Sequence, residues 1–209
     1  MTRSPGVMDT PAYYAITKRA LDVLICLAAL PVVVPLVLVS ALLIRVESPG
    51  PTIFAQMRTG QHGVRFPMFK FRTMVQNAEE LKASLQHLNI LPAPDFKIPN
   101  DPRITRVGKF LRKTSLDELP QILNVLRGEM TIVGPRPTSF AASTYQLWHS
   151  ERLEVVPGIT GLWQIKGRGS MTFDERLRLD IEYIERRSIA LDLRLMALTA
   201  LAVVRGSGN

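Results

Sequence analysis

Two adjacent carboxylates, Asp117 and Glu118, lie in the stretch Thr114-Ser-Leu-Asp-Glu-Leu-Pro-Gln121. Arg106, Lys109, Arg112 and Lys113 come before them, and Arg127 and Arg136 after. A purely structural reading is available: Ser115 and Glu118 form a capping box, and carboxylates in a first turn offset the helix dipole. Three features add a chemical one. With Ser115 as the cap, Pro120 falls inside the helix beyond its favoured first position, and a bent local rule often flags function. A carboxylate among cations at a helix N-terminus is expected to stay ionised at neutral pH. Such a terminus with arginines nearby also suits phosphate. An ionised aspartate beside a phosphate is a nucleophile of the kind that forms aspartyl-phosphate. The neighbouring carboxylate suits Mg2+, which takes few protein ligands and shares phosphate oxygens.

Other loops add cations. In Val133-Gly-Pro-Arg-Pro137 two prolines fix the backbone around Arg136, a rigid mount for a phosphate-binding guanidinium; the plain alternative is a turn with a surface arginine. Pro157-Gly-Ile-Thr-Gly161 and Lys166-Gly-Arg-Gly169 are glycine-rich loops, weak signals alone. No P-loop, dinucleotide fingerprint or zinc cluster is present, and His62, His87 and His149 are too scattered to suggest a metal site.

These groups need elements to hold them. Residues 21–44 form an apolar run in which only Asp22 is charged, long enough for a membrane helix. Pro31 and Pro35 sit inside it and favour a kink. Arg3, Lys18 and Arg19 precede the run and Arg45, Arg58 and Arg65 follow it, so both flanks look cytoplasmic. A helix that bends and returns to the same face fits these features, and so does a kinked spanning helix. Tyr13 and Tyr14 suit the headgroup layer. Cys26 reads as a buried spectator thiol and, as the single cysteine, excludes an intramolecular disulfide.

Residues 52–57 and 64–71 predict a β-hairpin, with Met68, Lys70 and Arg72 on a basic face and Phe69 and Phe71 on an aromatic one. Residues 76–89 predict a helix, and 91–102 a proline-rich loop. Ile104, Val107 and Leu111, opposite Arg103, Arg106, Lys109 and Lys113, predict a short basic amphipathic helix weakened by Gly108 and suited to an acidic membrane surface. Thr172-Phe-Asp-Glu175 opens a helix through Glu185 with a stripe of Leu177, Ile181 and Ile184. A last helix, 189–204, is apolar, but Asp192 and Arg194 argue against a second span. Trp148 and Trp163 read as core residues rather than interfacial anchors. The fold class expected is α+β, mostly helical.

The chain resembles the bacterial sugar transferases, the monotopic phosphoglycosyl transferases, over nearly its whole length. The resemblance rests on Lys18-Arg-Ala-Leu-Asp22, Ser48-Pro-Gly-Pro51, Lys70-Phe-Arg-Thr-Met74, Asn100-Asp-Pro-Arg-Ile-Thr105, Ser115-Leu-Asp-Glu-Leu-Pro-Gln121, Val133-Gly-Pro-Arg-Pro137 and Pro157-Gly-Ile-Thr-Gly161. It implies a single catalytic unit over residues 1–209. Within it, 18–47 would be a re-entrant membrane helix and 48–209 a region on the cytoplasmic face of the bacterial inner membrane. Asp117 would attack the sugar-bearing phosphorus of a UDP-sugar, UMP would leave, and a polyprenyl phosphate such as undecaprenyl phosphate would take the phosphosugar, as a first membrane step of glycan assembly. Glu118 would help hold Mg2+. Lys70, Arg72, Arg112, Gln121, Arg136 and Arg168 would contact phosphate and nucleotide. One departure stands out: relatives often carry serine before the break-point proline, whereas Val34 precedes Pro35 here and Pro31 is extra. The chain also looks like a minimal unit without the extra N-terminal membrane helices of larger relatives.

The net charge of +8 suits acidic lipid headgroups and phosphorylated small molecules. It also fits a membrane-anchored basic adaptor without catalysis. Nucleic acid is not an expected partner, because no nucleic-acid module is recognisable. The oligomeric state stays open, a homodimer included.

Overall fold

The computed structural model describes residues 12–90, 96–140, 147–167 and 171–205. The longest element is α1, Ala12–Glu47, a single helix that runs through Pro31 and Pro35. It is long and apolar enough to cross a membrane. Leu24, Val32, Leu38 and Leu42 are each more than 60% exposed, whereas the core helix of a soluble protein would hide such a surface. Asp22, the charge within the run, is buried: its carboxylate accepts from the Thr131 hydroxyl and the Ile132 amide. Cys26 is buried and free.

After a turn at 48–51 the chain forms the expected hairpin, with β1 (Ile53–Thr59) antiparallel to β2 (Arg65–Phe71) and Phe54 opposite Lys70. Its faces differ from the expected basic and aromatic pair. Phe66 and Met68 are buried against Cys26, Val125 and Met130, so the residues in phase with Lys70 form core rather than a basic surface. Lys70 alone continues that face into the site.

Residues 76–89 are not a helix but a series of turns with short 3-10 pieces at Glu80–Lys82 and Gln86–Leu88. Ala78 is the only buried residue among them, and a helix of that length without a packed face is marginal. The proline-rich segment is loop where it is described; residues 91–95 lie outside the described residues.

Helix α2 (Arg106–Thr114) buries Leu111 and exposes Arg106, Lys109 and Lys113, as expected. Arg103 is not on that face: it is buried and paired with Asp101. Gly108 is a requirement rather than a weakness, because a Cβ there would lie 2.1 Å from the Thr73 carbonyl oxygen. The amides of Arg106 and Val107 donate to the two carboxylate oxygens of Glu47 at 2.8 and 3.0 Å, so the last residue of α1 caps the first turn of α2.

A 3-10 turn, Leu116–Gln121, leads into α3, Ile122–Arg127. The strands β3 (Thr131–Val133) and β4 (Gly158–Thr160) then pair in parallel, a feature the sequence did not signal. Short helix α4 (Leu162–Lys166), α5 (Phe173–Arg186) and α6 (Ile189–Val204) complete the fold. The capping box at Thr172 and Glu175 is present. The buried face of α5 carries Leu177, Asp180, Tyr183 and Ile184, with Ile181 only half-buried. Asp192 on α6 is buried among Lys18, Tyr14 and Tyr183. Trp148 and Trp163 are both half-buried, with the Arg176 guanidinium over the Trp163 ring.

Candidate active site

The carboxylate pair is presented by an abrupt change of backbone. Helix α2 ends at Ser115, whose φ of 58° lies in the left-handed region. The chain then winds as a 3-10 turn that accommodates Pro120. This replaces the expected capping box. The Ser115 side chain makes no cap bond, and Glu118 does not reach back to it. With Ser115 serving as the end of the preceding helix, Glu118 is released to do something else.

It turns to cations from two other elements. Lys70, at the end of β2, donates to Glu118 Oε1 at 2.9 Å. The Arg136 guanidinium grips both oxygens, closely at Oε1 and at 3.4 Å at Oε2. Although burial works against it, Arg136 and Lys70 hold the Glu118 carboxyl far below the usual carboxylate range. β2 is held in register by Asn124 of α3, fully buried, which accepts from the Phe69 amide and donates to the Pro67 carbonyl. Arg136 is mounted on a loop whose Gly134 and Pro135 lie against β4. A Cβ on Gly158 would meet Gly134 N at 2.1 Å, which explains the glycine in the Pro157–Gly161 motif.

Asp117 is treated differently. It is half-buried and makes no ion pair among the described residues. Burial, with the Glu118 charge beside it, pushes its carboxyl above the ordinary value, and Lys70, Arg112 and Arg136 only partly oppose this. The cation-rich surroundings were expected to secure its ionised form; desolvation outweighs them. A carboxylate raised in this way is a better nucleophile once ionised.

The other expected contacts divide. Lys70 and Arg136 converge on the pair. Arg112 is anchored through Nε to the Thr73 hydroxyl at 2.9 Å and lies close enough to feel the Asp117 charge. Gln121 is 1% exposed, with its amide nitrogen buried and unpartnered among the described residues. Arg72 is committed elsewhere, donating to the carbonyls of Ser48 and Pro49 and to the Ser48 hydroxyl, so it closes the turn after α1. Arg168 lies outside the described residues. Sequence reasoning missed Arg152 and Asp180, a buried pair behind Arg136. The available signal was a carboxylate at 180 in phase with Leu177 and Ile184.

Among the described residues no three metal-ligating side chains gather. Glu118 Oε1 is taken by Lys70 and Arg136, which leaves Oε2, at its long contact, and the Asp117 carboxylate. That set does not suit a cation held by protein alone. It fits Mg2+ arriving with phosphate oxygens of its own.

A cavity of about 300 Å³ lies elsewhere, lined by Tyr14, Lys18, Asp22, Met130 and Tyr183 among others, and contains none of these groups.

Comparison with known proteins places this geometry. The chain is 48% identical over 161 residues to a galactosyl transferase, CpsE, of Streptococcus agalactiae, covering 76% of this chain and 36% of that one. It is 41% identical to the undecaprenyl-phosphate galactose phosphotransferase of Salmonella typhimurium, covering 91% and 41%. It is 40% identical to the UDP-glucose:undecaprenyl-phosphate glucose-1-phosphate transferase of Xanthomonas campestris, covering 95% and 41%. The chain thus spans about two-fifths of the length of these relatives. The model of the bacterial sugar transferase family matches residues 13–206, so the chain belongs to that family.

Proposed function

We propose that the protein is a phosphoglycosyl transferase that moves a sugar 1-phosphate from a UDP-sugar to a polyprenyl phosphate. The reading rests on the contrast within the pair, one carboxylate locked by two cations and its neighbour half-buried without an ion pair among the described residues. Two of the relatives are named for undecaprenyl phosphate, and one of the two for UDP-glucose as well, which supports the choice of acceptor and donor.

In this mechanism an Asp117 oxygen attacks the sugar-bearing phosphorus. The bond from that phosphorus to the bridging oxygen breaks, and UMP leaves. A polyprenyl phosphate oxygen then attacks the same phosphorus and returns Asp117 to its carboxylate. Arg112 and the cations on Glu118 favour the negative charge of the diphosphate. Mg2+, held by Asp117 and Glu118 Oε2 together with phosphate oxygens, would neutralise charge on the leaving group.

The acceptor is a membrane lipid, and the fold offers it a surface. The two ends of α1 are tied to the same folded region: Arg19 to the carbonyls of Val125 and Leu126, Asp22 to β3, and Glu47 to α2. That both ends of α1 are fastened to one folded unit supports a helix whose two ends stay on the same face of the membrane. Phe110 and Leu123, each more than half exposed on helices flanking the catalytic turn, suit the interface beside it.

The test is UMP release from a panel of UDP-sugars with Mg2+ and undecaprenyl phosphate, beside Asp117→Asn. Release with a donor, lost in the variant, supports the reading. Equal release from a folded Asp117→Asn protein would overturn it.

A further inference from the structure

Behind Arg136 lies a buried ion pair. Arg152 is 6% exposed and Asp180, on α5, 2%. One guanidinium nitrogen of Arg152, Nη2, donates to Asp180 Oδ2 at 2.7 Å and also to the backbone carbonyl of Arg136. Its two hydrogens therefore join α5 to the peptide unit that carries the grip on Glu118. On the β4 side the same loop is fixed by the Gly158 amide donating to the Pro135 carbonyl at 2.9 Å and the Gly134 amide to the Thr160 carbonyl at 2.8 Å. Pro135 and Pro137 remove local freedom on either side of Arg136.

The pair is a poor device for stability alone. Burial pushes Asp180 up to about 6 against the pull of Arg152, and its Oδ1 is buried without a partner among the described residues. Ion pairs of this sort gain little over apolar residues of similar size, which Leu177 and Ile184 on the same face supply. What the pair adds is a fixed bond to one particular carbonyl.

We propose that Asp180 and Arg152 are positioning residues for Arg136, holding its backbone so that the guanidinium meets Glu118. This rests on Arg136 and Glu118 being part of a phosphoryl-transfer site.

The test uses the whole chain in lipid bilayers and reads single-turnover UMP release with the active donor. Asp180→Leu is expected to slow release by ~10–100-fold, the scale of a small misplacement at a reacting centre, and also to lower Tm, because it leaves the buried Arg152 charge without its carboxylate, so the rate is read on the folded fraction well below Tm. Asp180→Asn, which can still accept from Arg152, is expected to stay within about threefold of the wild type. In an Arg136→Lys background Asp180→Leu is expected to cost less than about threefold more, because the carbonyl it fixes no longer carries that grip. An unchanged rate in Asp180→Leu, or the same fold-loss in both backgrounds, overturns the proposal. Should Asp180→Leu not fold, Arg152→Lys, which keeps the charge but not the double reach, is put through the same comparison. Hydrogen exchange gives a reading independent of turnover. Exchange accelerated at the Gly134 and Gly158 amides beyond any change in the rest of the chain supports positioning in Asp180→Leu; unchanged or uniformly faster exchange contradicts it. Local acceleration in a chain that releases no UMP from any donor would leave the positioning intact and remove the enzymatic reading.

Discussion

The two sides of the candidate site are built on different principles. On the side of β2 and the 134–137 loop, every charge has a partner: Lys70 and Arg136 on Glu118, Arg152 on Asp180. On the α2 side, one residue away, Asp117 is half-buried and, among the described residues, makes no ion pair, and Arg112 is tethered to Thr73. Adjacent carboxylates are thereby pushed in opposite directions, Glu118 down and Asp117 up. One side is closed by its own ion pairs and the other is not, the difference the proposed mechanism requires between a scaffold and a reacting group.

The strongest way to break this contrast is to remove the reacting group. Asp117→Asn should lower turnover by at least ~10³-fold, since a nucleophile has no substitute. The same variant should melt a few degrees higher at neutral pH, because an ionised carboxyl no longer has to be kept out of water. The sign with pH follows. The folded-state value of Asp117 is raised, so the wild type gains stability as pH falls through that value, and the advantage of the asparagine variant should shrink and vanish below the unfolded value. Thermal melts across pH check this, and a wild type at least as stable as Asp117→Asn at neutral pH would contradict it.

Next in size is loss of the clamp. Arg136→Met leaves Glu118 with Lys70 alone and should destabilise the fold by ~3 kcal/mol, the scale for orphaning a buried charge. It should also raise the Glu118 carboxyl toward its unfolded value, so that this residue contributes less to the stability lost on acidification than it does in the wild type. Denaturant titrations at two pH values read both effects. The smallest expected change is at the link from α1: Glu47→Gln weakens the cap on α2 and should cost about 1 kcal/mol with turnover retained. Activity lost along with this cap would mean that α1 reports directly to the catalytic turn.

Much of this was legible where local chemistry decides structure. The hairpin, the capping box at Thr172, the last helix and the carboxylate pair could each be read from neighbours in sequence. What escaped depended on residues far along the chain. Ser115 and Glu118 read as a capping box because nothing local reveals that Lys70 and Arg136 compete for the carboxylate. Gly108 read as a weakness because Thr73, whose carbonyl passes against it, is 35 residues away. The parallel pairing of β3 with β4 joins segments too short for any periodic pattern to show. Residues 76–89 had helical composition but no surface to pack on. Arg72 sits in a segment that the resemblance assigns to phosphate and nucleotide, yet its contacts are with the turn that ends α1.

The most direct test is the intact mass of the protein after incubation with its UDP-sugar and Mg2+ without lipid acceptor. The predicted result is a gain of one sugar phosphate on the peptide containing Asp117, discharged on adding undecaprenyl phosphate and absent from Asp117→Asn. UMP release that requires the acceptor and leaves the protein mass unchanged, or label that persists in Asp117→Asn, would contradict the assignment of Asp117 as nucleophile.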